Sequence, residues 1–304
     1  MRYSRQELVI GKDNQRLLES KTVAIVGVGA LGSVAAELLV RAGVNVILID
    51  RDVVEESNLQ RQLLFYEEDI GRSKALVAKE RLEKINSLVK IDFHAIHLSS
   101  KNINILSDVD MILDCTDNLQ TRFLINCFCK QYSKKWIYSA AIKNHGYVMP
   151  ILDNACFNCF VKPATLDTCA TVGVLNSITT SIAALQVDLC LKWLIGDVKN
   201  VLYYYNLDSF RKLKVNKRED CAVCNGNFNV QDGVSKFCSG RWQIMGRKID
   251  LASLKVKLQK IDKVVGDEIT LEFKNILLFE DGRALIKAKS LEEAEGDYAK
   301  WVGN

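Results

Sequence analysis

The chain of 304 residues has little proline and little histidine, and it has no long uninterrupted apolar run. Only two prolines leave few obvious linkers between domains. The three histidines, His94, His97 and His145, lack the spacing of metal ligands and predict structural roles. The longest apolar stretch, Val172 to Gly196, is interrupted by polar and charged residues. It therefore predicts a buried helix and not a membrane span.

A block of like charges and an apolar N-terminal segment are also missing. The net charge of +4, with 26% charged residues, is too mild to indicate nucleic-acid binding. Met1 leads directly into the polar stretch Arg2 to Arg5, so we expect no signal peptide. We therefore expect a cytoplasmic protein that binds neither nucleic acid nor membrane.

Alternating strand and helix patterns dominate the first half of the chain. A buried strand over Thr22 to Val26 is followed by a glycine-rich turn and a helix that ends at Ala42. A second strand covers Asn45 to Asp50, and the alternation continues to Ile142. This order predicts an α/β fold with a doubly wound, mostly parallel, Rossmann-like sheet. An amphipathic helix is predicted before it, over Gln6 to Leu18.

Paired strands replace the alternation after Gly146, which predicts an antiparallel part around the long apolar helix. A polar stretch that begins at Asn225 then marks the boundary between two domains, residues 1–226 and 227–304. The second domain has one helical pattern, Leu251 to Ile261, and hairpin strands joined by the Asp281-Gly282 turn. We therefore predict a small α+β C-terminal domain.

The stretch Gly27 to Gly32 (GVGALG) lies between a predicted strand and a predicted helix. In that context glycines let a phosphate approach the backbone, and the helix N-terminus offers free N–H groups. Asp50, at the end of the second strand, is placed to bind ribose hydroxyls. These features fit NAD as well as ATP, and a glycine turn without a ligand is the simpler alternative.

Polar residues beyond the neighbouring strand ends favour ATP. Arg61 and Lys74 can neutralise charge that develops at phosphorus, and Asp117 follows the fourth strand as a possible Mg²⁺ ligand. Hydride transfer needs none of these groups, whereas nucleotidyl transfer needs all three. The alternatives are that Arg61 and Lys74 are solvated surface charges, and that Asp117 caps the following helix.

Several short motifs occur together in a fixed order: RYSRQ at Arg2, the glycine loop, SNLQRQ at Ser57, GRSK at Gly71 and TDN at Thr116. Together they resemble the motif set of the ThiF/MoeB/ubiquitin-activating enzyme family. The similarity extends from Met1 to about Cys224. An ordered set of this kind is far more specific than any one motif.

The resemblance implies a set of ATP-contacting and catalytic residues. Gly29 and Ala30 would lie beside the phosphates, although close relatives often have glycine at Ala30. Asp117 would hold Mg²⁺, and Arg5 would enter the nucleotide site of a partner subunit in a homodimer. The full set is Arg5, Gly29, Ala30, Asp50, Asp52, Ser57, Asn58, Arg61, Lys74, Asp117 and Asn118.

The family resemblance also implies the reaction. The enzyme would use ATP to adenylate the C-terminal glycine carboxylate of a small ubiquitin-like sulfur-carrier protein that ends in Gly-Gly. Three alternatives are a nicotinamide oxidoreductase, a non-catalytic scaffold subunit of a heterodimeric activating enzyme, and a relative that adenylates a peptide or a tRNA-bound carboxylate.

Two CxxC pairs, Cys156/Cys159 and Cys221/Cys224, supply four thiols. Four thiolates in this arrangement are typical of a structural Zn²⁺ site, and the family resemblance supports it. The alternatives are a redox dithiol and buried free thiols.

Cys169 lies in a polar stretch just before the long helix. It resembles the cysteine that joins covalently to the activated carrier in relatives, so we predict a sulfur-handling role; a packing cysteine is the alternative. The C-terminal domain is too short for a rhodanese domain, so we expect a separate sulfur donor protein. The sequence assigns no role to Cys238.

Overall fold

A computed structural model describes residues 2–151, 154–161, 172–228 and 241–303. Cys169 and Cys238 lie outside these ranges, so their predicted roles stay predictions. The chain forms two compact units. The first contains Met1–Arg51, Glu56–Glu67 and Lys74–Asp232, and the second contains Asp52–Glu55, Glu68–Ser73 and Gly233–Asn304. The second unit thus includes Asp52–Glu55 and Glu68–Ser73, two short segments that the sequence places in the first domain, residues 1–226.

The first unit is built on an eight-stranded sheet in the order β3-β2-β1-β4-β5-β6-β7-β8. Strands β1 to β5 run parallel, and β5 to β8 are antiparallel neighbours. The strand bounds are β1 Thr22–Val26, β2 Asn45–Ile49, β3 Ile91–His94, β4 Met111–Asp114, β5 Trp136–Ile142, β6 His145–Ile151, β7 Leu202–Asn206 and β8 Ser209–Leu213. The strand order reverses between β1 and β4, where doubly wound sheets bind their ligands. The predicted doubly wound, mostly parallel sheet is confirmed.

Seven α-helices of the first unit lie within the described residues. They are α1 Ser4–Ile10, α2 Lys12–Glu19, α3 Gly32–Ala42, α4 Lys74–Ile85, α5 Leu119–Gln131, α6 Phe157–Phe160 and α7 Asn176–Ile195. The single N-terminal helix predicted over Gln6 to Leu18 is wrong, because α1 and α2 are separated at Gly11. Gly11 has a φ of +83°, a left-handed value that breaks the helix and favours glycine.

The longest helix, α7, is long and apolar enough to span a membrane by length and composition alone, but 56% of its apolar window is buried within the chain. The buried Gln186 side chain donates hydrogen bonds to the backbone carbonyls of Asp114 (3.0 Å) and Ile137 (2.9 Å). An amide that bonds to two neighbouring strands fixes α7 against the sheet. The helix is therefore part of the core of this unit.

The second unit contains a five-stranded antiparallel sheet in the order β10-β11-β12-β13-β9. Its elements are β9 Arg241–Met245, α8 Leu251–Leu258, β10 Val264–Gly266, β11 Thr270–Phe273, β12 Ile276–Phe279, β13 Arg283–Lys287 and α9 Leu291–Trp301. The small core between sheet and helices includes Leu271, Phe273, Ile276 and Tyr298. The predicted α+β character is thus present, and β9, β10 and α9 are additional to the predicted elements.

Candidate nucleotide site and cysteine cluster

The glycine loop follows β1 at the point where the strand order reverses. Gly27 has a φ of +87°, and a Cβ there would lie 2.8 Å from the carbonyl oxygen of Cys115. A Cβ at Gly32 would lie 1.8 Å from the carbonyl oxygen of Gly27. Only glycine allows these two close approaches. They bring the loop against the end of β4 and against the first turn of α3.

Open space lies beside the middle of this loop. A Cβ at Gly29 would meet a single atom within 4 Å, the Gln62 amide nitrogen at 3.7 Å. Gly29 and Ala30 are both half-buried just before α3. The helix N-terminus and the bare backbone therefore form a surface that suits a phosphate group.

Asp50 follows β2 and is buried, with 7% of its surface exposed. Its Oδ2 accepts a hydrogen bond from the backbone N–H of Val28 at 2.6 Å. The carboxylate thus holds the glycine loop in place from the neighbouring strand, a contact that the sequence did not predict. A ribose contact of Asp50 stays a prediction.

The segment Glu56–Glu67 lies beside the glycine loop, as the contact of Gln62 with Gly29 shows. A 3₁₀ turn covers Glu56–Asn58, and the Asn58 carbonyl accepts the N–H groups of Arg61 (3.0 Å) and Gln62 (2.9 Å). The Arg61 guanidinium donates to the carbonyl of the exposed Ser57 at 2.9 Å. This turn sets the directions of the buried Asn58 and the half-buried Arg61.

Gln62 was not among the predicted site residues. Only 4% of it is exposed, and its amide oxygen is buried without a hydrogen-bond partner among the described residues. A buried polar atom without a partner is costly, so it marks a place for a ligand or a water molecule. The signal was present in the sequence, because Gln62 ends the SNLQRQ motif.

Lys74 begins α4 and is 6% exposed. Within the described ranges, no carboxylate lies within ion-pair distance of its ammonium group, and none lies within that distance of the Arg61 guanidinium. A buried lysine normally has an anionic partner. Lys74 is therefore not the solvated surface charge that we considered as an alternative, whereas Arg61 is half-buried and its role stays a prediction.

The loop after β4 contains Asp117, which is exposed, and Asn118. The Asn118 side chain caps α5 by accepting the N–H of Thr121 at 2.9 Å. The alternative that Asp117 caps this helix is therefore wrong. Asp117 has no ion-pair or hydrogen-bond partner in the part of the chain that the structure describes.

A buried ion pair between Asp114 and Arg122 holds the loop after β4 in place. Asp114 is fully buried, and its Oδ2 lies 3.3 Å from Nε of Arg122. Its Oδ1 accepts the hydroxyl (2.7 Å) and the N–H (3.0 Å) of Thr116, while Arg122 donates to the Thr116 carbonyl. Burial raises the pKa of Asp114, and the Arg122 charge opposes that rise. Sequence reasoning missed Arg122, because a single arginine in an apolar helix gives no motif.

Asp52 and Arg5 were also predicted to belong to the nucleotide site. Asp52 is half-buried and belongs to the second compact unit. Arg5 is exposed on α1, and no described residue forms an ion pair or hydrogen bond with its guanidinium.

The four predicted metal-binding cysteines lie together. All four Sγ atoms are within 4.8 Å of one another. Cys156 is 3.9 Å from Cys159 and 3.6 Å from Cys221, and Cys159 is 3.6 Å from Cys224. Four sulfurs at about 2.3 Å from a central Zn²⁺ in a tetrahedron are about 3.8 Å apart. The cluster thus has the dimensions of a tetrahedral Cys₄ site and can hold zinc.

The cluster joins two distant parts of the chain within a shared apolar core. Cys156, Cys159 and Cys221 are buried among residues that include Phe157 and Trp136. Burial raises the pKa of the Cys156 thiol, which disfavours a free thiolate there. A bound cation would supply the positive charge that such thiolates need.

Known proteins are similar to this chain in sequence. The ThiF family model matches residues 3–224, so the chain belongs to the ThiF family. The sulfur carrier protein ThiS adenylyltransferase of Bacillus subtilis is 31% identical over 334 aligned positions, which cover 99% of each chain. The sulfur carrier protein adenylyltransferase of Thermus thermophilus is 35% identical, and the alignment covers 73% of this chain and 90% of that relative.

The fold also matches solved structures. The crystal structure of Escherichia coli MccB with ATP aligns with a TM-score of 0.66 and 21% identity, covering 74% of this chain and 73% of that chain. This similarity supports the fold assignment. The predicted family and fold class are confirmed.

Proposed function

We propose that the enzyme uses ATP to adenylate the C-terminal glycine carboxylate of a ubiquitin-like sulfur-carrier protein and releases pyrophosphate. It is an adenylyltransferase, as are the relatives named above. The B. subtilis relative supports the choice of substrate class, because the alignment includes the C-terminal domain as well as the ThiF region.

The observation that carries this proposal is Lys74. Its ammonium group is buried at the start of α4 without a carboxylate partner among the described residues. Such a group needs an anion, and a triphosphate supplies one. The open backbone of the glycine loop and the unpartnered amide oxygen of Gln62 beside it are further features that suit a nucleotide.

The proposed chemistry needs no general base, because a C-terminal carboxylate is already ionised at neutral pH. The carboxylate attacks the α-phosphate, a mixed anhydride forms, and pyrophosphate leaves. Arg61 and Lys74 stabilise the charge that develops on the phosphates, and the backbone of the glycine loop positions them. Asp117 would hold Mg²⁺, which neutralises phosphate charge when bound; its exposed, unpartnered carboxylate fits that role.

Carrier-dependent exchange of pyrophosphate into ATP tests the proposal. Lys74→Ala should lower the exchange rate by about 10²–10³, the typical effect of losing one charge-stabilising group. Lys192→Ala is a matched control, because Lys192 is exposed and forms a surface ion pair with Asp188. Exchange at the wild-type rate in Lys74→Ala would refute the role of Lys74.

The other hypotheses account for fewer of these features. A nicotinamide oxidoreductase has no use for Lys74, Arg61 or Asp117, and a scaffold subunit would not be expected to retain them. An enzyme acting on a peptide would also adenylate a carboxylate, and exchange assays with a ThiS-like carrier and with a peptide distinguish the two. A tRNA-bound substrate is disfavoured by the mild net charge of +4.

Three further assignments complete the proposal. Cys156, Cys159, Cys221 and Cys224 hold a structural Zn²⁺. The Cys169 thiol attacks the carbonyl carbon of the mixed anhydride, so that a thioester with the carrier forms and AMP leaves; a separate protein donates the sulfur. The cytoplasmic location stays a prediction.

The enzyme is proposed to act as a homodimer. Leu8 and Val9 are 78% and 85% exposed on α1, the helix that also carries Arg5, and no residue of α1 is buried. These two exposed apolar side chains are available for contact with a second subunit. A two-fold dimer through α1 would bring Arg5 of one subunit into the nucleotide site of its partner.

A further inference from the structure

Two short segments of the nucleotide-binding part of the sequence pack with the C-terminal domain. Asp52–Glu55 and Glu68–Ser73 belong to the second compact unit, and they flank Glu56–Glu67, the segment that contains Asn58 and Arg61. The second of them ends at Ser73, immediately before Lys74. The C-terminal domain therefore holds both ends of a predicted ATP-binding segment.

Backbone hydrogen bonds join the two segments to each other. Val54 donates to the carbonyl of Arg72 at 2.9 Å, and Gly71 donates to the carbonyl of Val54 at 2.9 Å. Val53 and Ser73 form an antiparallel bridge. The ends of the 56–67 segment are thus closed into a loop with a fixed base.

Apolar packing attaches this base to the C-terminal sheet. Val53 is 4% exposed and clusters with Leu277, Phe279 and Leu285 of β12 and β13. Glu55 also pairs with Arg241 of β9 at 3.7 Å. Burial of this kind fixes the position of a backbone more firmly than a surface ion pair does.

Asp267 forms a second polar contact between the base and the C-terminal domain, in addition to the pair of Glu55 and Arg241. Its Oδ1 accepts the N–H groups of Ile269 (2.9 Å) and Thr270 (2.8 Å), which fixes the carboxylate in its own turn. Its Oδ2 accepts the N–H of Ser73 at 3.4 Å and lies 4.0 Å from Nε of Arg72. One carboxylate thus connects the turn before β11 to the residue next to Lys74, across 194 positions in sequence.

We propose that the C-terminal domain is a positioning element for the ATP site, and that Asp267 is its positioning residue. It holds the base of the 56–67 loop, so that Asn58, Arg61 and Lys74 keep the arrangement that binds the triphosphate. The inference rests on the proposed function for the roles of those three residues. The anchoring itself is a separate claim about the loop.

Asp267→Asn tests the inference with little change in shape. An asparagine oxygen still accepts the N–H groups of Ile269 and Thr270, but its NH₂ group faces Ser73 and Arg72 and cannot accept their hydrogens. Asp281→Asn is the matched control, because Asp281 accepts the N–H of Arg283 (3.0 Å) and lies 3.6 Å from its Nε within the same domain. Neither Asp281 contact involves residues 52–55 or 68–73.

Two measurements on the full chain separate anchoring from ATP binding. Hydrogen exchange followed by mass spectrometry should show faster exchange over residues 54–73 in Asp267→Asn, with β1 and β4 unchanged. Calorimetry with MgATP should show a Kd about threefold to tenfold higher, the effect of losing one charge-assisted hydrogen bond. Asp281→Asn should change neither quantity.

Each other outcome overturns the positioning role. Unchanged exchange in Asp267→Asn means that the carboxylate does not anchor the loop. Faster exchange with an unchanged Kd means that the anchor does not act on ATP, and the proposed adenylation would survive. A wild-type chain that does not bind MgATP would overturn the proposed function as well, while the exchange data would still decide the anchoring.

Discussion

The Sγ atoms of Cys156 and Cys221 lie 3.6 Å apart, although 65 positions separate the two residues in sequence. Cys156 follows β6 and Cys221 follows β8. The contact therefore joins the two chain segments that leave these antiparallel strands. Three of the spacings within the cluster are 3.6–3.9 Å, close to the edges of a ZnS₄ tetrahedron and longer than a disulfide bond of about 2.05 Å.

The first prediction is therefore about one equivalent of zinc per chain, measured by elemental analysis of the purified protein. Cys221→Ala should lose most of this zinc and unfold at a lower temperature, because the metal links two chain segments. Cys190→Ala is the control, since Cys190 is buried in α7 outside the cluster. A zinc-free protein with a wild-type melting temperature would exclude a structural metal.

The second prediction concerns the buried pair of Asp114 and Arg122. Arg122→Leu leaves an uncompensated buried carboxylate and should destabilise the fold by about 3–5 kcal/mol at neutral pH. Arg122 lowers the Asp114 pKa, so its removal raises the folded-state value further above that of the unfolded chain. The variant's folded state then binds more protons, and its stability should fall as the pH rises above 3.8 through the raised pKa.

Urea denaturation at several pH values measures this effect. The cost of Arg122→Leu should be smallest at low pH, where Asp114 is neutral in both states. Lys192→Leu is the control, because it breaks an exposed pair on α7 and should show no comparable pH dependence. A cost that is independent of pH would mean that Arg122 contributes by packing alone.

The third prediction is that Asp117 holds the Mg²⁺ ion that binds the ATP phosphates. ATP should bind wild-type protein more tightly in Mg²⁺ than in EDTA, and Asp117→Ala should lose this difference together with about 10²–10³ in exchange rate. Asp188→Ala, which removes an exposed carboxylate on α7, should retain both properties. If Asp117→Ala responds to Mg²⁺ as the wild type does, another residue holds the ion.

The fourth prediction separates adenylation from sulfur transfer at Cys169. The carboxylate attacks phosphorus without a thiol, so Cys169→Ala should leave pyrophosphate exchange intact and abolish the covalent adduct with the carrier, detected by mass spectrometry. If the adduct persists, a different cysteine such as Cys238 is the nucleophile.

Local patterns were sufficient to predict much of the fold and part of the site. Thr22–Val26 and Trp136–Ile142 are strands over the predicted ranges, because continuous apolar runs bounded by turns are typical of buried parallel strands. The two CxxC pairs predicted a cluster that the structure brings together.

What the sequence could not show depends on contacts between distant positions. Nothing local indicates that Asp267 meets Ser73, or that Val53 packs with Leu277. The pairing of Arg122 with Asp114 likewise appears only once β4 and α5 are placed in space. The break at Gly11 is different, because glycine itself is a local signal for the end of a helix. The apolar periodicity on both sides of Gly11 nevertheless predicted one continuous helix.

The last prediction tests the proposed homodimer through Arg5. This residue is exposed on α1, and within the described part of the chain its guanidinium has no partner, which argues against a simple surface ion pair. If Arg5 acts in the partner's nucleotide site, Arg5→Ala and Asp117→Ala should each be inactive alone. A mixed dimer contains one site with both an intact Asp117 and an intact Arg5 from the other subunit.

Mixing the two inactive variants therefore should restore part of the exchange activity, up to about one quarter of wild type, since half of the dimers are mixed and each has one complete site. Subunit exchange is verified with differently tagged chains. Mixing each variant with itself is the control and should restore nothing. If tagged chains exchange and no activity returns, Arg5 acts within its own subunit or not at all. The proposal that the homodimer completes the nucleotide site with Arg5 would then be wrong.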